Sequence, residues 1–322
     1  MNTEQKEALL HFEALKRELG KVIVGQERTI EETLIALFSS GHLLLEGAPG
    51  LAKTLLISTL AKAADLKFSR IQFTPDLLPS DIVGTQIFNQ KTASFETKKG
   101  PVFTNFLLAD EVNRAPPKTQ SALLEAMQEK QVSILGETHV LASPFLVMAT
   151  QNPLEQEGTY PLPEAQMDRF MFKVLLDYPK KDEEVAILER FTKNDVIEVE
   201  RVIDAQTILS LQKLCREQYI DSLLMEYIAT LVDATRYPEK YQLLDASKYL
   251  KWGASPRATI NLALAAKTYS LMQGRDHVLP DDVKLLAPSV LRHRIILSFE
   301  ADIDKVSADD IIAEILDSID SP

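Results

Sequence analysis

Residues 42–57 read HLLLEGAPGLAKTLLI, and this stretch decides the fold. The apolar start predicts a strand, the centre rich in Gly and Pro predicts a tight loop, and the apolar end predicts a helix. Backbone N–H groups of such a loop wrap phosphate oxygens, and the helix N-terminus adds positive dipole. The lysine reaches the β- and γ-phosphates and the next hydroxyl binds Mg²⁺, which gives these roles to Lys53 and Thr54. We therefore expect a nucleotide to contact Gly47, Ala48, Pro49, Gly50, Leu51, Ala52, Lys53, Thr54 and Leu55.

One position departs from the usual phosphate loop, in which glycine stands directly before the lysine. This chain has Ala52 there. A methyl group costs little if this residue has right-handed helical dihedrals, and we expect Gly47 and Gly50 to supply the unusual conformations. An ordinary glycine turn is the alternative, so the interpretation depends on the rest of the chain.

Short apolar segments alternate with helical stretches as far as residue 175. This alternation predicts an α/β fold with a mostly parallel sheet covered by helices. Two stretches, 85–102 and 130–143, alternate apolar and polar residues around turn-like centres and predict β-hairpins inserted into this core. The strands of the sheet are expected at 42–46, 67–73, 106–110 and 144–150.

The rest of the chain, residues 183–319, shows only helical periodicity. We therefore expect two domains, an α/β core at 1–182 that opens with an amphipathic helix and an all-helical domain at 183–322. Ser307 followed by Asp310 predicts a capping box at the start of the last helix.

Two adjacent acids, Asp110 and Glu111, end the apolar strand at 106–110. A buried strand has no structural use for charged residues. At the carboxyl edge of the sheet, Asp110 can hold Mg²⁺ through water, and Glu111 can polarise an attacking water. An acidic patch at a helix start is the alternative, but the position downstream of a phosphate loop favours the catalytic role.

Polar residues also follow the next apolar segments. Asn152 comes after the strand at 144–150 and can orient the water or contact the γ-phosphate, although a turn-forming Asn before Pro153 is the alternative. Arg169 precedes the apolar residues 170–172. It fits a residue supplied to the γ-phosphate of a neighbouring subunit, where it stabilises transition-state charge, and a surface ion pair is the alternative.

One arginine of the helical domain stands at an unfavourable position. Ser255 and Pro256 predict an N-cap and a first helical position, which puts Arg257 in the first turn. A cation there opposes the helix dipole. A bound phosphate explains the arginine, and simple solvation of an exposed side chain is the alternative.

Overall composition narrows the possible classes of function. The 322 residues have a formal net charge of −12, which argues against a broadly basic nucleic-acid surface. No apolar run approaches the roughly 18 residues of a membrane span, and the first residues lack the pattern of a signal peptide, so we expect a soluble, cytoplasmic protein. The single cysteine, Cys215, excludes an intrachain disulfide, and we expect it to be buried.

In this order and spacing, the motifs resemble the MoxR family of AAA+ ATPases, in the group with an extra hairpin in helix 2. The resemblance covers nearly the whole chain, and Ala52 belongs to the family's own phosphate loop. It implies an AAA+ core followed by a helical lid, with the hairpins at 85–102 and 130–143 as the family's two inserts. Its most specific stretches are 47–54, 109–129, 149–170 and 253–258.

The resemblance also implies roles for single residues. The loop at 47–54 is then the Walker A motif, with ATP and Mg²⁺ as its ligands and Thr54 and Asp110 at the metal. Short matches at Val24, Gly25 and Gln26 resemble the adenine-side segment. The remaining roles are Asp110 and Glu111 as Walker B, Asn152 as sensor 1, Arg169 as the arginine finger and Arg257 as sensor 2.

Family members are implied to form homo-oligomers, as hexameric rings, and to remodel protein partners in a chaperone-like manner, often beside a protein with a von Willebrand factor A domain. Metal-cofactor insertion and complex maturation are among the implied uses. A nucleic-acid translocase or loader is the alternative, supported only by Lys91, Lys98 and Lys99 in the first hairpin. A nucleotide-gated scaffold without turnover is the third, and a complete set of catalytic residues argues against it.

Overall fold

The structure is a computed structural model, which describes residues 3–91, 93–153, 158–193 and 197–322. Residue 92 of the first predicted hairpin and residues 154–157 of the stretch 149–170 lie outside the described residues. The strands are β1 (Leu43–Glu46), β2 (Phe68–Gln72), β3 (Gly84–Asn89), β4 (Ser94–Lys99), β5 (Phe106–Asp110), β6 (Gln131–Ile134), β7 (Glu137–Val140), β8 (Leu146–Gln151), β9 (Phe172–Leu175), β10 (Leu250–Trp252) and β11 (Ile296–Leu297).

The helices enclose the strands and form most of the second half of the chain. They are α1 (Thr3–Val22), α2 (Glu27–Phe38), α3 (Lys53–Ala64), α4 (Pro79–Val83), α5 (Pro117–Glu129), α6 (Glu164–Met167), α7 (Lys181–Phe191), α8 (Ala205–Glu217), α9 (Ser222–Arg236), α10 (Leu244–Tyr249), α11 (Pro256–Met272), α12 (Pro280–Leu291), α13 (Phe299–Asp304) and α14 (Ala308–Ser318).

The central sheet has five parallel strands in the order β2-β5-β8-β1-β9. This confirms the predicted parallel sheet and the four strands that the sequence indicated. The fifth strand, β9, was not predicted because Lys173 interrupts its short apolar run. That lysine pairs with Glu46 of the neighbouring strand at 2.9 Å, which satisfies its charge at the sheet's edge.

The strands read as continuous apolar runs because both faces of the sheet are covered. Successive side chains point to opposite faces, so Leu43 and Leu45 belong to one hydrophobic cluster and Leu44 to the other. All three are fully buried. The two faces of this sheet therefore pack against separate sets of residues.

Both predicted hairpins are present as antiparallel pairs, β3 with β4 and β6 with β7. The first presents an aromatic pair, since the Phe88 and Phe95 rings lie 5.3 Å apart across the strands and both side chains are more than half exposed. The second hairpin begins directly after α5. The hairpins thus extend from the core without joining its sheet.

The described part of residues 183–319 is helical, as predicted, apart from one short antiparallel pair, β10 with β11. These strands have three and two residues, too few for a period-2 pattern to be recognised. The predicted capping box is present, because the Ser307 side chain accepts from the Asp310 N–H and the Asp310 carboxylate accepts from the Ser307 N–H. Cys215 is buried, as expected.

The helical half shares one hydrophobic cluster with the first two helices and one face of the sheet. Phe12 of α1 and Ile35 of α2 belong to the same cluster as Leu211 of α8 and Ala265 of α11. Helices α8 and α11 therefore pack against α1 and α2 of the first part of the chain. Among the described residues, no helix combines the length and apolar character needed to cross a membrane.

Candidate active site

The loop between β1 and α3 has the conformation of a phosphate cradle, but its strain lies at an unexpected residue. Gly50 has φ +86°, as expected for a glycine in this loop. Ala52 has φ 55° and ψ 17°, in the left-handed region. Ala52 therefore lacks the right-handed dihedrals under which its methyl group would cost little, and the strain of a left-handed residue other than glycine lies here.

Gly47 serves a different purpose from the one predicted. It is absent from the residues with positive φ, and a Cβ at this position would lie 2.7 Å from the Leu176 Cβ and 2.9 Å from the Leu176 carbonyl oxygen. The glycine is needed because the chain after β9 approaches the loop closely. Glycine is therefore required at position 47 because a side chain would clash with Leu176, not because of the backbone conformation.

Lys53 points back into the loop and is half-buried. Its Nζ donates to the Gly47 carbonyl oxygen at 2.6 Å. Burial lowers the pKa of Lys53, while the nearby carboxylates of Asp110 and Glu111 act in the opposite direction. The ammonium group is therefore poorly hydrated, which increases its interaction with a phosphate anion.

Asp110 lies at the end of β5 and is held by residues of both neighbouring strands. Arg70 of β2 donates to its Oδ2 from Nη2 at 2.6 Å and from Nε at 3.2 Å. The Thr150 hydroxyl of β8 donates to its Oδ1 at 2.6 Å. The parallel register that aligns these strands fixes the carboxylate at the sheet's carboxyl edge.

Glu111 follows with φ 56°, so its backbone leaves the strand sharply. Its Oε2 accepts from Gln72 Nε2 at 2.7 Å and from Arg114 Nη1 at 2.9 Å. Its N–H donates to the Thr150 hydroxyl at 2.8 Å. These partners hold the carboxylate in one position, and two further side chains, Gln72 and Arg114, are thereby added to the site.

Arg70, Gln72, Arg114 and Thr150 were missed by the sequence reasoning. Their only sequence signal was polar residues near the ends of otherwise apolar strands, which also occurs at ordinary strand ends. The positions of Arg70, Gln72 and Thr150 opposite the two acids depend on strand order, which a single sequence does not reveal, whereas Arg114 follows Glu111 by only three residues.

A cavity of about 400 Å³, here named the carboxyl-edge pocket, joins these groups. It is lined by the loop from Pro49 to Leu55 and by side chains at the ends of β2, β5 and β8. Asn152, which is 6% exposed, lines it as well. The structure thus brings together Lys53, Thr54, Asp110, Glu111 and Asn152.

An apolar cleft of about 280 Å³ adjoins this pocket and shares part of the loop with it, from Gly50 to Ala52. Val24 and Gln26 line the cleft, and the Gln26 Nε2 donates to the Leu51 carbonyl oxygen at 3.2 Å. Gly25 lines a separate cavity instead, to which Gln26 also contributes. The cleft is completed by three residues that sequence reasoning missed, Pro179, Ile187 and Phe191.

The two pockets fit a nucleotide with its metal ion. The glycine-dependent loop and the half-buried ammonium of Lys53 suit phosphates, and the apolar cleft suits a base. Thr54 and Asp110 are the residues that could hold Mg²⁺, and the described residues contain no cluster of three or more ligands suited to a metal. Few protein ligands are typical for Mg²⁺, which retains waters and binds substrate phosphates.

Arg169 and Arg257 do not lie in the carboxyl-edge pocket. They line a cavity of about 310 Å³, here named the amino-edge pocket, together with Gly41 and His42 before β1 and Met171 before β9. Since these residues precede parallel strands, this pocket lies at the sheet's amino edge. β1 alone, with four residues, spans about 13 Å between the two edges.

Gln128 of α5 joins the two arginines. Its Oε1 accepts from Arg169 Nε at 2.9 Å and from Arg257 Nη2 at 3.3 Å. Residues from the core and from the lid thus present two guanidinium groups side by side.

Asp168, directly before Arg169, connects the core with the lid. It pairs with the fully buried Arg294 at 2.9 Å, accepts from the Ser255 hydroxyl at 2.9 Å and lies 3.6 Å from Arg257. Burial lowers the pKa of Arg294 to about 10, although Asp168 acts against this shift. The predicted cap is present too, because the Ser255 Oγ accepts from the Arg257 N–H at 3.1 Å.

A phosphate loop followed by an acidic strand end and a helical lid defines the class of P-loop ATPases of the AAA type. Two family models agree with this assignment. The model described as ATPase family associated with various cellular activities (AAA) matches residues 42–172, and an AAA lid domain matches residues 242–315.

Known relatives narrow the class further. Chaperone MoxR1 of Mycobacterium tuberculosis (strain ATCC 25618 / H37Rv) is 47% identical over 305 residues, which cover 95% of this chain and 81% of that protein. Uncharacterized protein YeaC of Bacillus subtilis (strain 168) is 46% identical and covers 94% of this chain and 92% of its own length.

The crystal structure of a candidate ATPase from Cytophaga hutchinsonii is 50% identical, with a TM-score of 0.94 and coverage of 99% of this chain and 97% of that one. The chain belongs to the MoxR family of AAA+ ATPases. The predicted family and fold class are confirmed, and ATPase activity in general follows from the family.

Proposed function

We propose that this protein hydrolyses ATP to ADP and phosphate at sites shared between neighbouring copies, and that it uses the energy to remodel protein partners in the cytoplasm in a chaperone-like manner. The observation that carries the proposal is the separation of Arg169 and Arg257 from Lys53 across the sheet. A complete site needs both pockets, and one copy holds them at opposite edges.

The carboxyl-edge pocket binds the nucleotide. Loop N–H groups and Lys53 hold the phosphates, and the apolar cleft beside Val24 takes the base. Mg²⁺, held by Thr54 and Asp110, would neutralise charge on the phosphates. Glu111 accepts the proton of the attacking water, and Asn152 orients that water.

Glu111 must first be released from its present partners. Gln72 and Arg114 both donate to its Oε2, so this oxygen is already occupied and is not free to accept from a water. A change at the subunit boundary that moves either partner would free the carboxylate. Hydrolysis is then coupled to the arrival of a neighbour.

Arg169 and Arg257 act on the nucleotide of that neighbour. Their link through Gln128 supports a common target for both, so we assign the sensor-2 arginine to the same direction as the finger. Positive charge there stabilises the transferring phosphoryl group. We propose a hexameric ring as the closed assembly of such head-to-tail contacts.

We propose that the protein consists of a core at 1–182 and a lid at 183–322, and that hydrolysis moves the lid relative to the core. Because Asp168 pairs with the buried Arg294 and Ser255, force on Arg169 passes directly into the lid. The hairpins β3–β4 and β6–β7 would move with the core. We propose protein clients, a von Willebrand factor A domain protein among them, and a use in metal-cofactor insertion or complex maturation.

A DNA translocase or loader is the second candidate, favoured by the exposed rings of Phe88 and Phe95 next to lysines of the same hairpin. Aromatic stacking beside cations suits single-stranded nucleic acid. Of the three lysines, Lys99 already lies over the Phe103 ring at 4.9 Å. Salt-sensitive DNA binding that is lost when Lys91 and Lys98 are neutralised would favour this candidate over a protein client.

The test of the shared site is ATP turnover per copy as a function of protein concentration, measured together with the molecular mass in solution. We expect turnover to rise with assembly and to be lost in Glu111→Gln at every concentration. A fully active isolated monomer would overturn the proposal. Affinity capture with Glu111→Gln, held in the ATP state, identifies the clients.

A further inference from the structure

Two cations without an assigned role lie beside the paired arginines. Lys130 and Arg216 both line the amino-edge pocket. Lys130 follows α5 with φ 52° and comes from the core, whereas Arg216 is in the last turn of α8 and comes from the lid. Four cations from four different elements therefore meet in one cavity.

The charge in this pocket is not balanced by the protein. Among the described residues that line this pocket, the four cations face one carboxylate, Asp168, which already pairs with Arg294 outside the pocket. Within the described ranges, no carboxylate forms an ion pair with Lys130, Arg169 or Arg216. Partial burial and the charge of Arg216 lower the pKa of Lys130, as expected where positive potential accumulates.

Helix ends explain part of this arrangement but not its convergence. A cation near a helix C-terminus is favourable, which accounts for Lys130 and Arg216 one at a time. It does not account for Arg257 in a first turn, nor for Gln128 drawing two guanidinium groups together. Like charges held this close cost free energy unless an anion with several charges joins them.

The cavity has the size and the positive charge for phosphate groups. Its volume of about 310 Å³ is at the lower end for small-molecule pockets, and it is open on the protein surface. Its few apolar lining residues, such as Met171 and Ile260, form no cleft comparable to the one beside Val24. A polyphosphate fits here, while the base would have to lie elsewhere.

We propose that Lys130 and Arg216 bind the terminal phosphates of a nucleotide held by a second copy of this chain, so that four cations rather than two act across the subunit boundary. This inference rests on the proposed function, in which Arg169 is supplied to a neighbour. Since Lys130 belongs to the core and Arg216 to the lid, both parts of one copy contact the same phosphates. The nucleotide state of a neighbour then fixes the angle between core and lid.

The test is a mixing experiment with two variants. Lys130→Ala with Arg216→Ala keeps its own phosphate loop, and Lys53→Ala loses that loop but keeps its amino-edge pocket. Each substitution at the pocket should lower turnover about 10- to 100-fold, the scale of one charge-assisted hydrogen bond. Mixing the two variants should restore turnover above the sum of their separate rates, because Lys53→Ala supplies the missing cations.

The same mixture with Arg169→Ala in place of the double variant tests the proposed function by itself. Recovery with Arg169→Ala but not with the double variant overturns the inference and leaves the shared site standing. No recovery in either mixture overturns the shared site. Recovery in both supports the inference.

Matched controls come from the same helices. Lys118→Ala in the first turn of α5 and Lys213→Ala on α8 lie outside the pocket lining and should keep full turnover. Thermal unfolding checks that the double variant folds, and Lys130→Gln and Arg216→Gln, used singly, replace it if it does not. Full turnover in folded pocket variants overturns the inference.

Free anions are the other source of the same chemistry. Calorimetry with tripolyphosphate on dilute Lys53→Ala measures binding to the pocket without a neighbour's nucleotide. Weak binding that is lost on adding Lys130→Ala, together with recovery on mixing, supports the inference. Tight tripolyphosphate binding without recovery of turnover on mixing would mean that the pocket binds a free polyphosphate. That result would overturn the inference.

Discussion

The two edges of the central sheet differ in how the charges of their pockets are balanced. At the carboxyl edge, the two carboxylates Asp110 and Glu111 are each paired with an arginine, Arg70 and Arg114 respectively. At the amino edge, Arg169 and Arg257 share a neutral acceptor, Gln128, and Lys130 stands beside them. One edge is electrostatically complete, whereas the other has unbalanced positive charge.

This difference supports the proposal that the amino edge binds the phosphates of a neighbouring copy. A balanced pocket folds around its own residues, and its ligand displaces existing contacts. An unbalanced pocket gains most from an anion that the chain itself does not supply. The following predictions are ordered by size, and each changes one edge while the other stays intact.

Arg169→Ala changes only the amino edge and should have the largest effect. Turnover should fall about 10³-fold or more, the scale of arginine-finger effects. The affinity of dilute protein for nucleotide should stay the same, because the loop at 47–54 is untouched. Fluorescence titration and steady-state kinetics measure the two quantities, and a parallel loss of affinity would place this arginine at its own copy's nucleotide.

Glu111→Gln changes only the carboxyl edge. We expect turnover to fall by about 10²- to 10⁴-fold, since the amide cannot accept the proton of water. Nucleotide binding should remain, because a Gln oxygen still accepts from Gln72. Glu125→Gln on the exposed side of α5 is the control and should keep full activity. Equal turnover in both variants would contradict the role of Glu111.

His42 lies at the amino edge. The pH dependence of protein stability tests how this side chain is packed. The ring accepts from the Val147 N–H at 3.0 Å and contacts the Met127 carbonyl oxygen at 3.1 Å, and burial lowers its pKa to about 4 from 6.5. Between these values the folded state binds fewer protons than the unfolded state, so stability is present above pH 6.5 and is lost as pH falls towards 4.

The shift corresponds to about 3 kcal/mol, at 1.36 kcal/mol for each pKa unit. Urea unfolding at several pH values should therefore give the wild-type protein a steeper loss of stability than His42→Gln between pH 6.5 and 4. Parallel curves for the two proteins would mean that the ring accepts a proton in the folded state.

Ala52→Gly tests the carboxyl edge with the smallest effect. Glycine removes the strain of a left-handed alanine, so the nucleotide-free protein should gain up to about 1 kcal/mol of stability despite the greater freedom of the unfolded chain. Ala48 of the same loop does not have a positive φ, so Ala48→Gly should lose stability. The urea midpoint measures the stability of both variants. A loss of stability in Ala52→Gly as well as in Ala48→Gly would contradict backbone strain at Ala52.

The local patterns of the sequence predicted most of the fold. Continuous apolar runs indicated strands buried on both faces, and the Ser307–Asp310 spacing indicated a helix start, because both depend on neighbours along the chain. Strand β9 was not predicted because a single lysine interrupts its four-residue apolar run. The strands β10 and β11 were too short to show periodicity. The left-handed dihedrals of Ala52 were not predicted because the path of a loop depends on the residues that pack beneath it.

The sequence by itself determined the chemistry, since a phosphate loop, two acids after a buried strand and two conspicuous arginines are properties of residue type and local order. Only the tertiary structure decided where that chemistry lies. Strand order brought Arg70, Gln72 and Thr150 to the acids, and the direction of the parallel strands sent Arg169 and Arg257 to the opposite edge. The physical reason is that strand pairing and lid packing arise from contacts between residues far apart in the chain, which the spacing of motifs along it does not encode.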